Sequence, residues 1–313
     1  MAPTPEQIAA AAALIKAGGV VAFPTETVYG LGANALLSRA VRRIYEIKQR
    51  PATSPLIVHV NSVPMARELV TCWPLTAETL AERFWPGPLT LVLPRRAIVA
   101  DEITAGLGTV GVRMPAHPVA LALIEAAGVP IAAPSANRFT QLSPTTAAHV
   151  AASLGAAVDL ILDGGPTDVG IESTVLSLAG EQPVLLRPGM ISQTEIEAVV
   201  GPIAVISEAT PHQAHASPGL HDKHYSPRTP LYLLGPTDPL PAVGRGIWIY
   251  YATPRAAARE ICLPAAAAPY AARLYETLHA ADAAGLDWIA IEAPPPTPDW
   301  AGVTDRLNRA RIR

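Results

Sequence analysis

The stretch from Phe23 to Ala35, FPTETVYGLGANA, constrains this chain more than any other. Val20, Val21 and Ala22 lead into it as a buried strand would. Pro24 then lacks the amide donor that a central ladder needs, and Gly30 and Gly32 permit positive φ or the close approach of another group to the backbone. Thr25, Glu26, Thr27 and Tyr29 put hydrogen-bonding side chains on a segment that is otherwise core-like. A polar turn after a strand accounts for these residues, and so does the wall of a ligand pocket.

A chain of 313 residues allows one large domain and a smaller one. Half of the residues are hydrophobic, which is enough for a substantial core, and a net charge of -3 leaves no whole-chain footprint for nucleic acid or an anionic membrane. An RNA partner would therefore need a local patch. The two cysteines, Cys72 and Cys262, lie far apart, with neither zinc-ligand spacing nor a disulfide framework, so a reducing, cytoplasmic setting is expected. The N-terminal segment has helix punctuation rather than a signal peptide. Thr4 can cap, Pro5 stands at the first helical position, Gln7 completes a capping box, and Gly18 and Gly19 end the run. No stretch approaches the roughly 18 to 20 apolar residues of a membrane span.

Further along, Ser38 can cap a helix running to about Lys48, from which KQRP carries Lys48 and Arg50. Cations are favoured at any helix C-terminus, but here Thr53, Ser54 and the strand LIVHV, with His59 inside it, follow at once and make a candidate pocket edge. Helices are expected from Pro64 to about Val70 and from about Thr76 to Phe84, then a turn and strand in WPGPLTLVLP. Gly106, Gly108 and Gly111 satisfy G-x-G-x-x-G, yet a strand, VGVRMP, follows them where a dinucleotide fingerprint needs a helix. No GxxxxGK[ST] occurs, which excludes a P-loop. A helix from Pro118 to Ala127 precedes VPIAAPSAN, a short strand ending in Ser135 and Asn137, whose hydroxyl and amide suit oxygen ligands. Ser143 or Thr145 can cap the next helix, and VDLILDGG, GIESTVLSL and PVLLRPG read as strands. Strands and helices alternate without a strict βα rhythm, so a mixed, twisted α/β sheet is expected.

From Ser207 to Pro230 hydrophobic periodicity disappears, as in a linker, yet His221, Lys223, His224 and Tyr225 fall close together there. H-x-x-H alone lacks a third metal ligand, and a lid contributing side chains to a site is the preferred reading. After Leu231 come a strand at IWIYY, a helix from about Pro269 to Ala284, a strand at WIAIEA and a helix near Val303 to Arg311, enough for a small α/β domain.

Taken in order, FPTETVYGLGANA, KQRP, GPLTLVLP, GVRMP, PSAN with SPT, IESTV, RPG and SPGLHDKHYSP resemble the YrdC-like domain family, in the long two-domain form of its L-threonylcarbamoyladenylate synthases. Single elements such as K-x-R are weak, but their ordered set spans nearly the whole chain. The resemblance implies a YrdC-like catalytic domain over residues 1–206, a linker and lid over 207–230, and a smaller Rossmann-like α/β domain over 231–313. It implies a nucleotidyltransferase that makes threonylcarbamoyl-AMP and pyrophosphate from L-threonine, bicarbonate or CO2, and ATP. A separate tRNA threonylcarbamoyl transferase complex would use that product to modify the adenosine at position 37 of tRNA.

Carried onto matching positions, the resemblance puts Thr27, His59, Arg113, Ala133 and Ser173 on the threonine side. Arg50, Ser54, Thr109, Ser135, Ser143, Arg187 and Tyr225 fall on the ATP side, with Lys48 and Asn137 close to the phosphates. Two anions must be brought together, so the chemistry demands charge neutralisation and positioning. Lys48, Arg50 and Arg187 can neutralise phosphate, and Arg113 can grip a carboxylate in a bidentate pair. Magnesium is expected to ride on ATP, because no carboxylate cluster marks a protein-held site. Arg138 and Phe139 stand where smaller residues are common in the family, a departure expected to narrow the pocket mouth or to alter contacts there. Two other readings are an RNA-binding module built on Arg39, Arg42, Arg43, Lys48 and Arg50, and a carbamoyl-transfer enzyme with a different acceptor.

Overall fold

The computed structural model describes residues 3–205 and 224–312. Helix α1 (Pro5–Ala17) starts as the sequence predicts. The Thr4 hydroxyl accepts from the Gln7 amide, the Gln7 side chain accepts from the Thr4 amide, and Gly18 closes the helix at φ +91°.

Ten strands then form one mixed sheet: β1 (Val21–Phe23), β2 (Gly30–Asn34), β3 (Ile57–His59), β4 (Leu89–Pro94), β5 (Thr109–Arg113), β6 (Ile131–Ala132), β7 (Leu160–Ile161), β8 (Thr174–Ser177), β9 (Val184–Arg187) and β10 (Ala204–Val205). Their order is β10-β9-β8-β4-β5-β3-β6-β2-β1-β7. The pairs β3–β5, β4–β8, β1–β7 and β9–β10 are parallel, and β1–β2, β2–β6, β3–β6, β4–β5 and β8–β9 are antiparallel.

Seven more helices pack around this sheet: α2 (Ser38–Lys48), α3 (Val63–Leu69), α4 (Leu75–Phe84), α5 (Asp101–Thr104), α6 (Pro118–Ala127), α7 (Ala147–Leu154) and α8 (Gln193–Val200). Alternation along the first strand divides the core. Val20 and Ala22 join Val41 and Ile44 of α2 on one face, whereas Val21 and Phe23 join Ile15 of α1 and Leu123 of α6 on the other. Each fully buried Ile or Leu contributes ~2 kcal/mol of transfer free energy. Gly32 is required by this packing, because a Cβ there would lie 2.6 Å from Phe23 and 2.8 Å from Ile131.

Two expected caps differ. Leu37 occupies the cap position of α2, and the Ser38 hydroxyl instead donates to Glu102. Thr146, rather than Ser143 or Thr145, caps α7 by accepting from the His149 amide, since Ser143 is turned toward Glu172. The glycines at 106 and 108 connect α5 to β5, an order of helix then strand that is the reverse of a dinucleotide-binding turn. Arg39, Arg42 and Arg43 do not form a free basic patch. Arg42 pairs with Glu102 at 3.1 Å, Arg43 holds Asp159 through two contacts of 2.8 and 2.9 Å, and Arg39 donates to the Ala17 carbonyl.

A second, smaller unit is built from β11 (Leu231–Leu234), β12 (Gly246–Tyr250), β13 (Arg259–Cys262), α9 (Ala267–Asp282), β14 (Trp288–Glu292) and α10 (Ala301–Ala310). Its four strands run parallel in the order β11-β14-β12-β13, as a Rossmann-like unit requires. It docks closely on the large sheet. Gly170, at φ +79°, sits so near α9 that a Cβ would overlap the Ala271 carbonyl oxygen. The Gly170→Ala variant is therefore expected to melt several degrees lower, consistent with ~1–3 kcal/mol of strain and overpacking. An unchanged melting temperature would show that the two units are not held this tightly.

Candidate functional site

The ends of several strands open onto one cleft. Thr25 and Thr27 come from the turn between β1 and β2, Arg50 from the segment after α2, His59 from the end of β3, and Arg113 from the end of β5. Ala133 and Ser135 follow β6, Glu172 and Ser173 precede β8, Arg187 ends β9, and His224 and Tyr225 arrive from beyond the sheet. Register accounts for part of this convergence. His59 lies directly opposite Arg113 across the parallel β3–β5 pair, so one strand pairing delivers both side chains to the same rim.

Arg113 is oriented by three neighbours. It pairs with Glu26 at 2.7 Å, donates to the Thr27 hydroxyl at 2.9 Å and donates to the Gly87 carbonyl at 3.2 Å. Both partners of the ion pair are buried, with side-chain exposures of 4% and 8%, so removing one would strand the other's charge away from water. Arg187 is tied to Ser173, donating to its carbonyl at 3.1 and 2.9 Å and to its hydroxyl at 3.2 Å, while that hydroxyl also bonds Thr90 at 2.8 Å. Arg50 donates to Ser54 and to the Pro55 carbonyl and stands 5.6 Å from the Phe139 ring.

Burial strains these charges. It pulls Arg50 down to about 10, lowers Arg187, and lowers Lys48 well below an ordinary lysine, with Arg50 reinforcing the effect on Lys48. His59 is brought down to about 3 by burial and then by the adjacent Arg113, so its imidazole is neutral across the physiological range. Burial would raise the Glu172 carboxyl, but Arg306, Arg187 and the Ser143 hydroxyl together hold it below its ordinary value. Among the described residues, neither Lys48 nor Arg50 has a carboxylate partner. An anionic ligand would supply the missing counter-charge.

Thr27, Arg50, His59, Arg113, Ala133, Ser135, Ser173, Arg187 and Tyr225 thus come together as the sequence predicts. Five expected residues do not line the cleft. The Lys48 ammonium donates to the Ser135 and Asn137 carbonyls, each at 2.5 Å, and so ties the end of α2 to the PSAN turn. The Asn137 amide donates to the Arg138 and Gln141 carbonyls within the same turn. Ser54 stands behind Arg50 as its acceptor. Thr109 lines a small adjoining cavity with Thr104 and Leu107, which shares Pro55, Leu56 and Ile57 with the cleft. The Ser143 hydroxyl is fully buried and donates to Glu172 at 2.5 Å.

Phe139 packs edge-on against His224 as well as beside Arg50, whereas Arg138 faces a second hollow shared with His149 and His279. His221 and Lys223 lie outside the described residues. Sequence reasoning missed Glu172 and its partner Arg306. A carboxylate inside the apolar IESTV run was a usable signal for Glu172, but nothing in the last helix singles out Arg306.

Buried His59 makes stability depend on pH. Its folded-state value lies below its unfolded one, so between about pH 6.5 and 3 the unfolded chain binds the extra proton and stability falls as pH falls. Replacing His59 by Leu should flatten the drop in melting temperature between pH 6.5 and 4 relative to the parent protein. Parallel curves would mean that His59 does not titrate on unfolding.

Comparison with known proteins agrees with this geometry. Residues 13–189 match the Sua5, YciO and YrdC family, described as Telomere recombination, and residues 191–311 match the family described as Threonylcarbamoyl-AMP synthase, C-terminal domain. The Threonylcarbamoyl-AMP synthase of Bacillus subtilis is 44% identical over 320 residues, covering 97% of this chain and 92% of the relative. That of Pyrococcus abyssi is 51% identical over 237 residues, covering 74% and 69% respectively. The crystal structure of P. abyssi Sua5 complexed with L-threonine superposes with a TM-score of 0.92 at 40% identity, covering 99% of this chain and 95% of the other. The chain belongs to the threonylcarbamoyl-AMP synthase family, in its two-domain form.

Proposed function

We propose that this cleft binds L-threonine and ATP and, with bicarbonate or CO2, produces threonylcarbamoyl-AMP and pyrophosphate. The observation that carries the reading is the convergence of Arg50, Arg113 and Arg187 in one buried cleft. Joining a carbamate to a triphosphate means holding two anions together, and desolvated guanidinium groups aimed at one space do that work. Arg113, oriented by Glu26 and Thr27, takes the threonine carboxylate, and the neutral imidazole of His59 beside it accepts a hydrogen bond from the amino acid. Arg50 and Arg187 face the phosphates.

The threonine nitrogen bonds to the carbon of bicarbonate, with loss of water, and gives a carbamate. A carbamate oxygen then attacks the α-phosphorus, the bond to the β-phosphate oxygen breaks, and pyrophosphate leaves with the electron pair. No side-chain nucleophile is needed. Magnesium arrives with the triphosphate in this reading. Among the described residues no group of three or more His, Cys, Asp or Glu side chains is assembled.

The product passes to a separate tRNA-modifying transferase complex, and the setting we propose is the cytoplasm. Unpaired Cys72 and Cys262 support that setting, and no described helix is long and apolar enough to cross a membrane.

The test is pyrophosphate release from ATP with magnesium and bicarbonate across amino acids. Threonine is expected to drive release at least about tenfold faster than serine or valine, since one methyl or one hydroxyl distinguishes them. Release indifferent to the amino acid would overturn the reading. Changing Arg113→Gln together with Glu26→Gln, so that no buried carboxylate is stranded, should raise the threonine KM by about 100-fold while ATP binding stays within about threefold. Equal loss of both ligands would contradict the assignment of Arg113.

A further inference from the structure

The catalytic cleft lies in the large unit, yet one side chain of the small unit reaches directly behind it. Arg306 of α10 is 1% exposed and donates to three acceptors of the large unit. Its Nε donates to the Glu172 Oε2 at 2.7 Å, its Nη2 to the Glu172 carbonyl at 3.0 Å, and its Nη1 to the Pro188 carbonyl at 2.8 Å. Glu172 immediately precedes Ser173 and Pro188 immediately follows Arg187. One planar guanidinium therefore fastens together the backbones carrying a threonine-side hydroxyl and an ATP-side arginine. Asp305 and Tyr275 complete the cluster, Asp305 pairing with Arg306 at 2.9 Å and the Tyr275 hydroxyl donating to Glu172 at 3.2 Å. The Arg306 guanidinium also stands 5.4 Å from the ring of Tyr225, a further cleft residue.

We propose that Arg306 is a positioning residue for the adenylation step, setting the relative placement of Ser173 and Arg187 from the second domain. The inference rests on the function proposed above. Arg306 touches neither substrate in this reading, so each ligand still finds its own contacts when the clamp is lost. What suffers is their mutual alignment, which the chemical step requires and ground-state binding does not. Lysine cannot substitute, because a single ammonium on a flexible stem cannot span a carboxylate and two carbonyls in a fixed fork.

The experiment compares the full-length protein with Arg306→Met and Arg306→Lys, by steady-state pyrophosphate release per folded molecule, with the folded fraction read by thermal melting. The parent protein is assayed first. If its release does not depend on threonine, the proposed function itself fails, and that is visible before any variant is measured. With that dependence present, both variants are expected to lose kcat by about tenfold or more while both KM values stay within about threefold. Should the Met variant not fold, the Lys variant decides by the same readout. A folded variant with kcat within about twofold of the parent, or one whose loss lies in KM alone, overturns the inference.

Discussion

Arg50, Arg113, Arg187 and, just behind the PSAN turn, Lys48 are all buried, and among the described residues Glu26 and Glu172 bring carboxylates into the same region from the large unit. Burying a cation without full compensation is costly, and the compensation here comes from the Glu26 carboxylate for Arg113 and from backbone carbonyls for Arg50, Arg187 and Lys48. The sheet brings these groups together. Register between β3 and β5 sets His59 beside Arg113, and backbone carbonyls accept from the other cations: Ser173 from Arg187, Ser54 and Pro55 from Arg50, and Ser135 and Asn137 from Lys48. The site is thus organised for anions before any arrive, which is the condition for electrostatic catalysis without reorganisation at the moment of reaction.

The second domain belongs to this arrangement and is not an appendage to it. Glu172 links a cleft-lining segment to Arg306 and Tyr275 of the small unit, and Gly170 two residues earlier allows the backbones to approach. Tyr225, held at φ +59°, fits between the cleft and this cluster, 6.1 Å from the Tyr275 ring. A non-glycine residue in that region persists where its surroundings over-determine it, and here they do.

Much of this was legible in the sequence, for identifiable reasons. The capping box at Thr4 and Gln7 and the helix at 118–127 are local signals, and the structure forms both. The glycine pattern at 106–111 was correctly set aside because element order, not the motif, decides its meaning. Helix α8 went unrecognised although Ser192 and Glu195 form a capping box, and β11 and β13 were lost in a proline- and alanine-rich stretch without clear periodicity. The cations of the cleft were identified from ordered family motifs. Their partners were not, because Glu26 pairs with Arg113 and Glu172 with Arg306 across long sequence separations that no local spacing encodes. Lys48 is a further case: its ammonium donates to the Ser135 and Asn137 carbonyls, 87 and 89 residues along the chain, a tie that no local spacing encodes.

The melting temperature of the full-length protein with ATP or with adenosine at equal concentration, in low salt, separates phosphate-driven from base-driven binding. If buried cations awaiting anions dominate the site, ATP should raise the melting temperature by several degrees, equivalent to ~2–3 kcal/mol at about a hundredfold excess over Kd, and adenosine should leave it within about a degree. Equal stabilisation by both ligands would mean that the base and ribose, not the phosphates, drive binding, and would contradict the electrostatic account.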